Sequence, residues 1–359
     1  MPKLLFTGVH RPKRSPSQRY RFEQFETYLK NEGFEIEYSY IIDKETDKFI
    51  YQPGNYFKKG VFYIFSIVKM YIETFKFNSY DYIFIQREAL MGSFYFYERK
   101  AAKSKAKLIY DFDDAIWLQH VSEGNKNLAF LKNPEKIKKI IEVSDLVLAG
   151  NQFLTEYAKT YNSNSVLFPT VVDTDKYTKI EKTSNNYICI GWSGSFSTFE
   201  HFELILPVLK KLKTEFGDQI KLKVIGAPYK NLDVDIEFVN WSEETEIKNL
   251  NDFDIGIMPL EQNIWNEGKC GLKALLYMSM GIPSVVSPVG VNKSIITPEE
   301  NGYWASTELE WYENLKKLIL DKELREKLGS QARKKVILNY SVSSHRKILV
   351  ELFKNLRKK

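Results

Sequence analysis

The sequence predicts an α/β protein made of two doubly wound parallel-sheet domains in series. Three observations carry that prediction. Continuous apolar runs of strand length alternate with segments of helical period in both halves of the chain. An aperiodic polar stretch separates the halves, and 359 residues supply about two domains' worth of chain.

In the first half, KLLFTGV from Lys3 is an apolar strand, followed by the polar loop HRPKRSPSQ. The next segment, Arg19 to Asn31, repeats Phe22, Phe25, Tyr28 and Leu29 at helical spacing. Further buried-type strands begin at Phe34, Tyr80, Lys107 and Asp145, with helices over 94–104 and 134–144. Runs of this kind, apolar throughout instead of alternating, belong to parallel sheets covered on both faces. The stretch VVDTDKYTKIEKTSNN after Thr170 has neither period and reads as the linker. The alternation then resumes, with strands at 187–191, 221–226, 236–239, 254–258 and 283–287 and helices at 199–216, 243–249 and 272–280. The expected domains are 1–170 and 185–340. Parallel sheets bind ligands at the carboxyl ends of their strands, so a cleft between two such domains is where chemistry is expected.

Composition narrows the function classes. Hydrophobic residues at 43% and charged residues at 27% exclude a disordered or fibrous chain. The longest apolar run, VFYIFSIV from Val61, stops at Lys69, far short of the roughly 20 residues that cross a bilayer. Two cysteines within apolar segments and a start unlike a secretory leader make a reducing, cytoplasmic setting the default expectation. The net charge of +6 lies mostly in the first half, where 25 Lys or Arg face 20 Asp or Glu. That excess suits an anionic substrate or lipid surface. It is too small for nucleic acid without base-stacking motifs, and none is present.

The most informative segment is GKCGLKALLYMSMGIPSVVSPVGVN, 268–292. It reads loop, helix, turn, strand, loop, with Gly281 and Pro283 ending the helix. Lys269 and Lys273 stand four apart at the helix's amino end, where cations oppose the helix dipole unless an anion docks between them and the free N–H groups. Solvated surface lysines are the duller reading. With Cys270 and Gly271 the two lysines form a candidate phosphate site. IGWSGS from Ile190 adds Gly191, Ser193 and Gly194 after a strand and before a helix, either a phosphate loop or a plain turn.

With these blocks in view, the chain resembles the retaining family-4 glycosyltransferases of GT-B architecture. The resemblance also rests on SDLVLAGNQFLTEYA from Ser144, FPTVVDTDKY from Phe168 and the closing YS at Tyr340. It implies two Rossmann-like domains facing across a cleft, a nucleotide sugar in the second, and a last helix, 342–359, returning to the first. It further implies retention of the donor's anomeric configuration, with the nucleotide sugar as co-substrate and no metal or other cofactor.

The sequence departs from that family where two glutamates usually stand with seven residues between them. Those positions are Gly268 and Leu276. Glu267 is one residue from the first and can substitute through a loop shift; Leu276 cannot accept a hydrogen bond from ribose. The family's Arg and Lys after the domain's first strand are also absent from GWSGSFSTFEHFE, leaving Lys269 and Lys273 to neutralise the leaving diphosphate.

In the first domain, Asp113 and Asp114 follow the strand KLIYDF at the family's His-Asp position. Asp113 either acts on the acceptor hydroxyl or anomeric centre, or caps the loop; Asp114 reads as a cap. DFDD also invites a divalent cation, but no companion ligand spacing supports one, and the four histidines show no zinc spacing. Arg19 and Arg21, in a loop with five basic residues from Arg11 to Arg21, are candidates for an acceptor phosphate, as are Arg87 and Glu88 for the cleft rim. A solvated loop and a structural ion pair are the alternatives. The segment 56–77 mixes eight aromatics with four lysines, the pattern of a surface-lying membrane helix and equally of core packing. If it meets a membrane, the acceptor is a lipid-linked glycan.

The reading that results is a sugar transferase of the hexosyl kind, acting on a glycan or lipid-linked glycan in cell-surface polysaccharide synthesis. Absence of both glutamates motivates a second one, a catalytically silent homologue serving as a scaffold in a glycan assembly complex. A GT-B-shaped sugar-nucleotide epimerase lacks its acidic and histidine set.

Overall fold

A computed structural model describes residues 1–52, 54–118, 133–180, 186–227 and 230–357. His120, part of the expected linker (181–185) and the last two residues of the expected C-terminal helix lie outside the described residues. Contacts divide the chain into two units, Met1–Thr170 with Arg346–Lys359, and Val171–His345.

The first unit holds a six-stranded parallel sheet: β1 (Lys3–His10), β2 (Glu35–Ile42), β3 (Tyr82–Gln86), β4 (Lys107–Phe112), β5 (Leu146–Ala149) and β6 (Ser165–Leu167). The order is β2-β1-β3-β4-β5-β6, so chain reversal beside β1 creates a switch point at the carboxyl ends of β1 and β3. β3 and β5 are buried at every position, as the unbroken apolar runs required. Helix starts follow local chemistry: Asn133 caps Glu135 N–H ahead of Pro134, and Asn151 caps Leu154 N–H. The last helix, Val342–Arg357, packs Phe353 on Tyr82 and Phe34, with ring centroids 5.5 and 5.9 Å apart. The return of the final helix to the first domain is therefore observed.

The second unit repeats the plan with β7 (Ile188–Ser193), β8 (Ile220–Ile225), β9 (Glu237–Val239), β10 (Ile255–Met258), β11 (Ser284–Val286) and β12 (Gly302–Trp304), ordered β12-β11-β10-β7-β8-β9, all parallel. Trp192, Leu209, Leu212, Val224, Ile255 and Leu315 belong to one core cluster.

Three expectations change. Two three-residue strands, β6 and β12, complete the sheets where the sequence predicted none. Residues 171–180 are no free linker: Val172 bridges to Ser341, and buried Tyr177 donates to Glu246 Oε2 at 2.6 Å. The segment after Tyr56 forms an 18-residue helix, Tyr56–Glu73, that leaves most of its large apolar side chains exposed, which removes the core-packing explanation for them. No helix among the described residues is long and apolar enough to cross a membrane.

Candidate functional site

The amino end of the helix Leu272–Ser279 is the centre of the second unit's site. Gly271 precedes it in the left-handed region (φ +71°), and no side chain caps the first turn. A Cβ at Gly271 would lie 2.3 Å from Ile295 Cδ1, so the residue is glycine both for its dihedral and for its neighbours.

Lys273 turns back from this helix. Its Nζ lies 3.3 Å from Thr198 Oγ1 and 4.5 Å from the centroid of the Trp192 ring. The side chain is half-buried. Burial, followed by the positive charge of Lys269, brings its pKa down to about 7. Among the described residues no carboxylate forms an ion pair with it. Lys269 stands over Trp265, its ammonium 5.1 Å from the ring centroid. Two cations share one helix tip, where the dipole also disfavours them.

The glycines of IGWSGS serve this arrangement more than they serve backbone approach to a ligand. A Cβ at Gly191 would sit 2.1 Å from the Phe253 ring, so its reading as a phosphate contact is withdrawn in favour of packing. A Cβ at Gly194 would meet Trp192 at 2.5 Å and Lys273 Cε at 2.8 Å; its absence makes room for the lysine. Ser193 donates its N–H to Tyr277 Oη at 2.8 Å, and its residue is buried. Cys270 is buried, its Sγ 3.7 Å from Gly268 O.

Glu267 accepts the Gly290 N–H at 3.1 Å and lies 3.9 Å from Lys293 Nζ. One carboxylate oxygen is thus engaged in fixing the loop after β11. Leu276 is only 4% exposed, so nothing at that position offers an acceptor. Beside the Glu267-held loop, a cavity of about 280 Å³ opens at the carboxyl ends of β10, β11 and β12; Leu260, Glu261, Ser287, Val289, Glu308 and Trp311 are among its walls. Sequence reading missed these residues, together with Trp192 and Thr198. The signal was the strand DIGIM running straight into PLEQ, the place where a doubly wound sheet presents ligand contacts.

In the first unit Asp113 is bound on both oxygens. Arg87 Nε donates to Oδ1 at 2.7 Å and Ser17 Oγ to Oδ2 at 2.7 Å. Burial pushes this carboxyl up, but the charge and hydrogen bond of Arg87, with Arg21 and Ser17, outweigh it and hold it below the usual range. Asp114 also faces Arg87, at 3.3 Å, and is an ion-pair partner in addition to any turn role. Arg87 has φ +60°, uncommon for a side-chain-bearing residue, and its N–H donates to Asp111 O at 2.7 Å. That turn aims its guanidinium across the two aspartates.

Arg21 does not serve an acceptor. Its guanidinium is wholly buried against Asp111 and the Phe168 carbonyl, a structural ion pair in the core. Burial raises the Asp111 pKa to about 6 even with Arg21 beside it. Arg19 is 7% exposed and lies over the Tyr20 ring, which removes most of its reach toward an acceptor. Arg11 and Arg14 both bind Asp47, and Glu88 pairs with Lys136 at 2.8 Å, the duller of its two readings. His10, considered only for zinc, ends β1 on the same edge as Arg87 and Asp113. Burial, then Arg14, lowers its pKa to about 4, so it is neutral near pH 7; its Nε2 lies 2.5 Å from Tyr51 Oη. Among the described residues no three His, Cys, Asp or Glu gather as a metal site.

With two Rossmann-like units, each on a parallel sheet, the architecture is GT-B. Residues 173–335, nearly the whole of the second unit, match the family model of glycosyl transferases group 1. Solved structures share the fold over the full length. Sucrose-phosphate synthase from Thermosynechococcus elongatus aligns over 100% of both chains, with TM-score 0.70 and 12% identity. A glycosyltransferase from Rickettsia africae aligns over 100% of this chain and 99% of its own, with TM-score 0.68 and 15% identity. Anabaena HepE, solved in complex with UDP-glucose, covers 98% of this chain and 99% of its own, with TM-score 0.69 and 12% identity. No curated protein matches the chain in sequence.

Proposed function

We propose that this protein transfers a hexosyl group from a nucleotide sugar, held by the second unit, to a glycan or lipid-linked glycan met by the first, with the anomeric configuration kept. The observation that carries the reading is the half-buried Lys273 ammonium, placed at an uncapped helix tip beside Lys269 and ion-paired to no carboxylate among the described residues. A diphosphate supplies the missing anion, and both lysines then stabilise the negative charge that grows on it as the sugar leaves. A uridine diphosphate sugar is the first donor to try, because HepE was crystallised with UDP-glucose at the same fold. The cavity at the ends of β10 to β12 receives the uncharged part of the donor, its wall fixed by the Glu267–Gly290 bond.

On the acceptor side, Asp113 is held ionised between Arg87 and Ser17, suited to stabilising positive charge near the anomeric carbon more than to taking a proton. The lysine pair makes the diphosphate site independent of a metal; activity unchanged by EDTA is the expected result. A place in cell-surface polysaccharide synthesis, at the inner face of a membrane, fits these chemistries. The reading is tested by mixing the protein with UDP-sugars and following UDP release and UDP affinity in wild type and Lys273→Ala. Charged hydrogen bonds to phosphate are worth about 1.5–3 kcal/mol, so the variant should bind UDP about ten- to hundred-fold more weakly. Equal affinity retires the assignment.

One observation favours a second reading. Leu276 is buried where the family has its ribose carboxylate, as a catalytically silent scaffold would tolerate. That reading expects no UDP release from any donor, with or without acceptor.

A further inference from the structure

The helix Tyr56–Glu73 and the 3-10 turns Thr74–Ser79 that continue it as a short helix leave a continuous apolar face uncovered. Phe57, Ile64, Phe65, Val68, Ile72 and Phe75 recur at the three-, four- and seven-residue spacings that put side chains on one side of a helix. Phe57 is 84% exposed, Phe65 69% and Phe75 70%. The opposite side is anchored in the unit: Met70 and Ser66 are buried, and Glu73 accepts from Ser39 at 2.6 Å and from Tyr97 at 2.5 Å. The face is therefore a fixed feature of a well-held helix, about 27 Å long at 1.5 Å per residue. Patches of this extent on a soluble surface mark a docking site.

Charge selects the occupant. The helix and turn hold four lysines, Lys58, Lys59, Lys69 and Lys76, and one acid, Glu73, which is turned inward. Lys58 and Lys69 stand three helical turns apart along the same border of the apolar stripe, with Lys76 continuing the line. Two copies of the chain pressed face to face would bring lysines against lysines at both ends, and no acidic residue on the face relieves that. A surface that is apolar in depth and negative at its rim satisfies both parts at once.

We propose that this face docks on a bilayer of anionic lipids, the aromatic and aliphatic side chains entering the acyl boundary and the lysines meeting the phosphate headgroups. The proposal deepens the lipid-linked acceptor of the proposed function and rests on it only for its biological purpose. The docking itself stands on the helix and its charges, and the donor reading can fail without it.

The full chain is mixed with sedimentable vesicles, either phosphatidylglycerol and phosphatidylcholine in equal parts or phosphatidylcholine alone. The expected result is binding to the first and at least about tenfold weaker binding to the second, because each lysine near an anionic surface contributes a several-fold factor. Phe57→Glu with Phe65→Glu should reduce binding to the anionic vesicles at least about tenfold, the loss that two unburied phenyl groups imply. Lys58→Glu with Lys69→Glu should remove the preference for anionic lipid. All four side chains are exposed, though Lys69 also donates to Tyr40 O, so the thermal midpoint of each variant is measured to separate folding from binding. UDP affinity measured on the same preparations tests the donor site separately. No binding to anionic vesicles by the wild type, or binding that the phenylalanine variant leaves intact, overturns the proposal. So does a wild-type dimer in solution that this variant dissociates, since the face is then occupied by a second copy.

Discussion

The pH dependence of nucleotide binding follows directly from where Lys273 sits. Its pKa in the unliganded protein is about 7, against about 10.4 for a solvated lysine. A diphosphate in contact favours the charged form, so binding above pH 7 takes up a proton. While the bound-state pKa stays above the working range, affinity follows the protonated fraction of the free protein. That fraction is about one half at pH 7 and about one hundredth at pH 9, so the dissociation constant for UDP should rise about fifty-fold, or about 2.3 kcal/mol. The ligand's own phosphate titrates near pH 6 and adds little in this window. Isothermal calorimetry in two buffers of different ionisation enthalpy reads both affinity and proton uptake. Lys273→Met should bind weakly with a flat profile. The same substitution should raise the thermal midpoint at pH 7, because it removes a desolvated cation. The sign follows from a folded pKa below the unfolded one: between about 7 and 10.4 the unfolded chain holds a proton that the native lysine does not, so the wild type gains stability with pH and the variant's advantage fades. A wild-type affinity that is level from pH 7 to 9, or a variant with the same slope, refutes the assignment of Lys273 to the diphosphate.

Three other expectations test the surroundings. Arg21→Ala leaves the enclosed Asp111 without its partner, so its carboxyl must be buried unpaired or take up a proton, and breaking a buried pair of this kind costs about 3–5 kcal/mol in urea unfolding, with no specific effect on UDP affinity. His10 has a folded pKa near 4 against 6.5 unfolded, so the native protein should lose stability as pH falls from 6.5 toward 4; His10→Phe should flatten that limb in thermal scans, and an unaltered limb would show that another group is responsible. Gly191→Ala drives a methyl group into the Phe253 ring and should cost about 1–3 kcal/mol in chemical denaturation; a silent substitution would show that packing against Phe253 does not require glycine in this strand.

Much of the fold was legible in the sequence because burial on both faces of a parallel strand forbids alternation. YIFI and LVLA had to be apolar throughout, and the helical spacing between them left one arrangement. The candidate site was legible only in part. The two lysines could be placed at a helix tip from the position of Gly271 and the period that follows it. That Lys273 folds back over Trp192, into room left by Gly194, depends on residues some 80 positions earlier in the chain. Arg21 and Asp111 show the same limit from the other side: as text, Arg21 is one of five cations in a polar loop, and only the packing of the strand KLIYDF against it makes it a core residue.

The sequence by itself determined the alternation, the two parallel sheets and the kinds of residue available to a phosphate, because these follow from local periodicity and short-range backbone chemistry. Tertiary structure alone decided that Lys273 has no carboxylate ion pair among the described residues, which aspartate is held ionised, and that most of the aromatics from Tyr56 to Phe75 face outward. Those properties depend on desolvation and on charges brought together across long loops, and a one-dimensional pattern contains neither.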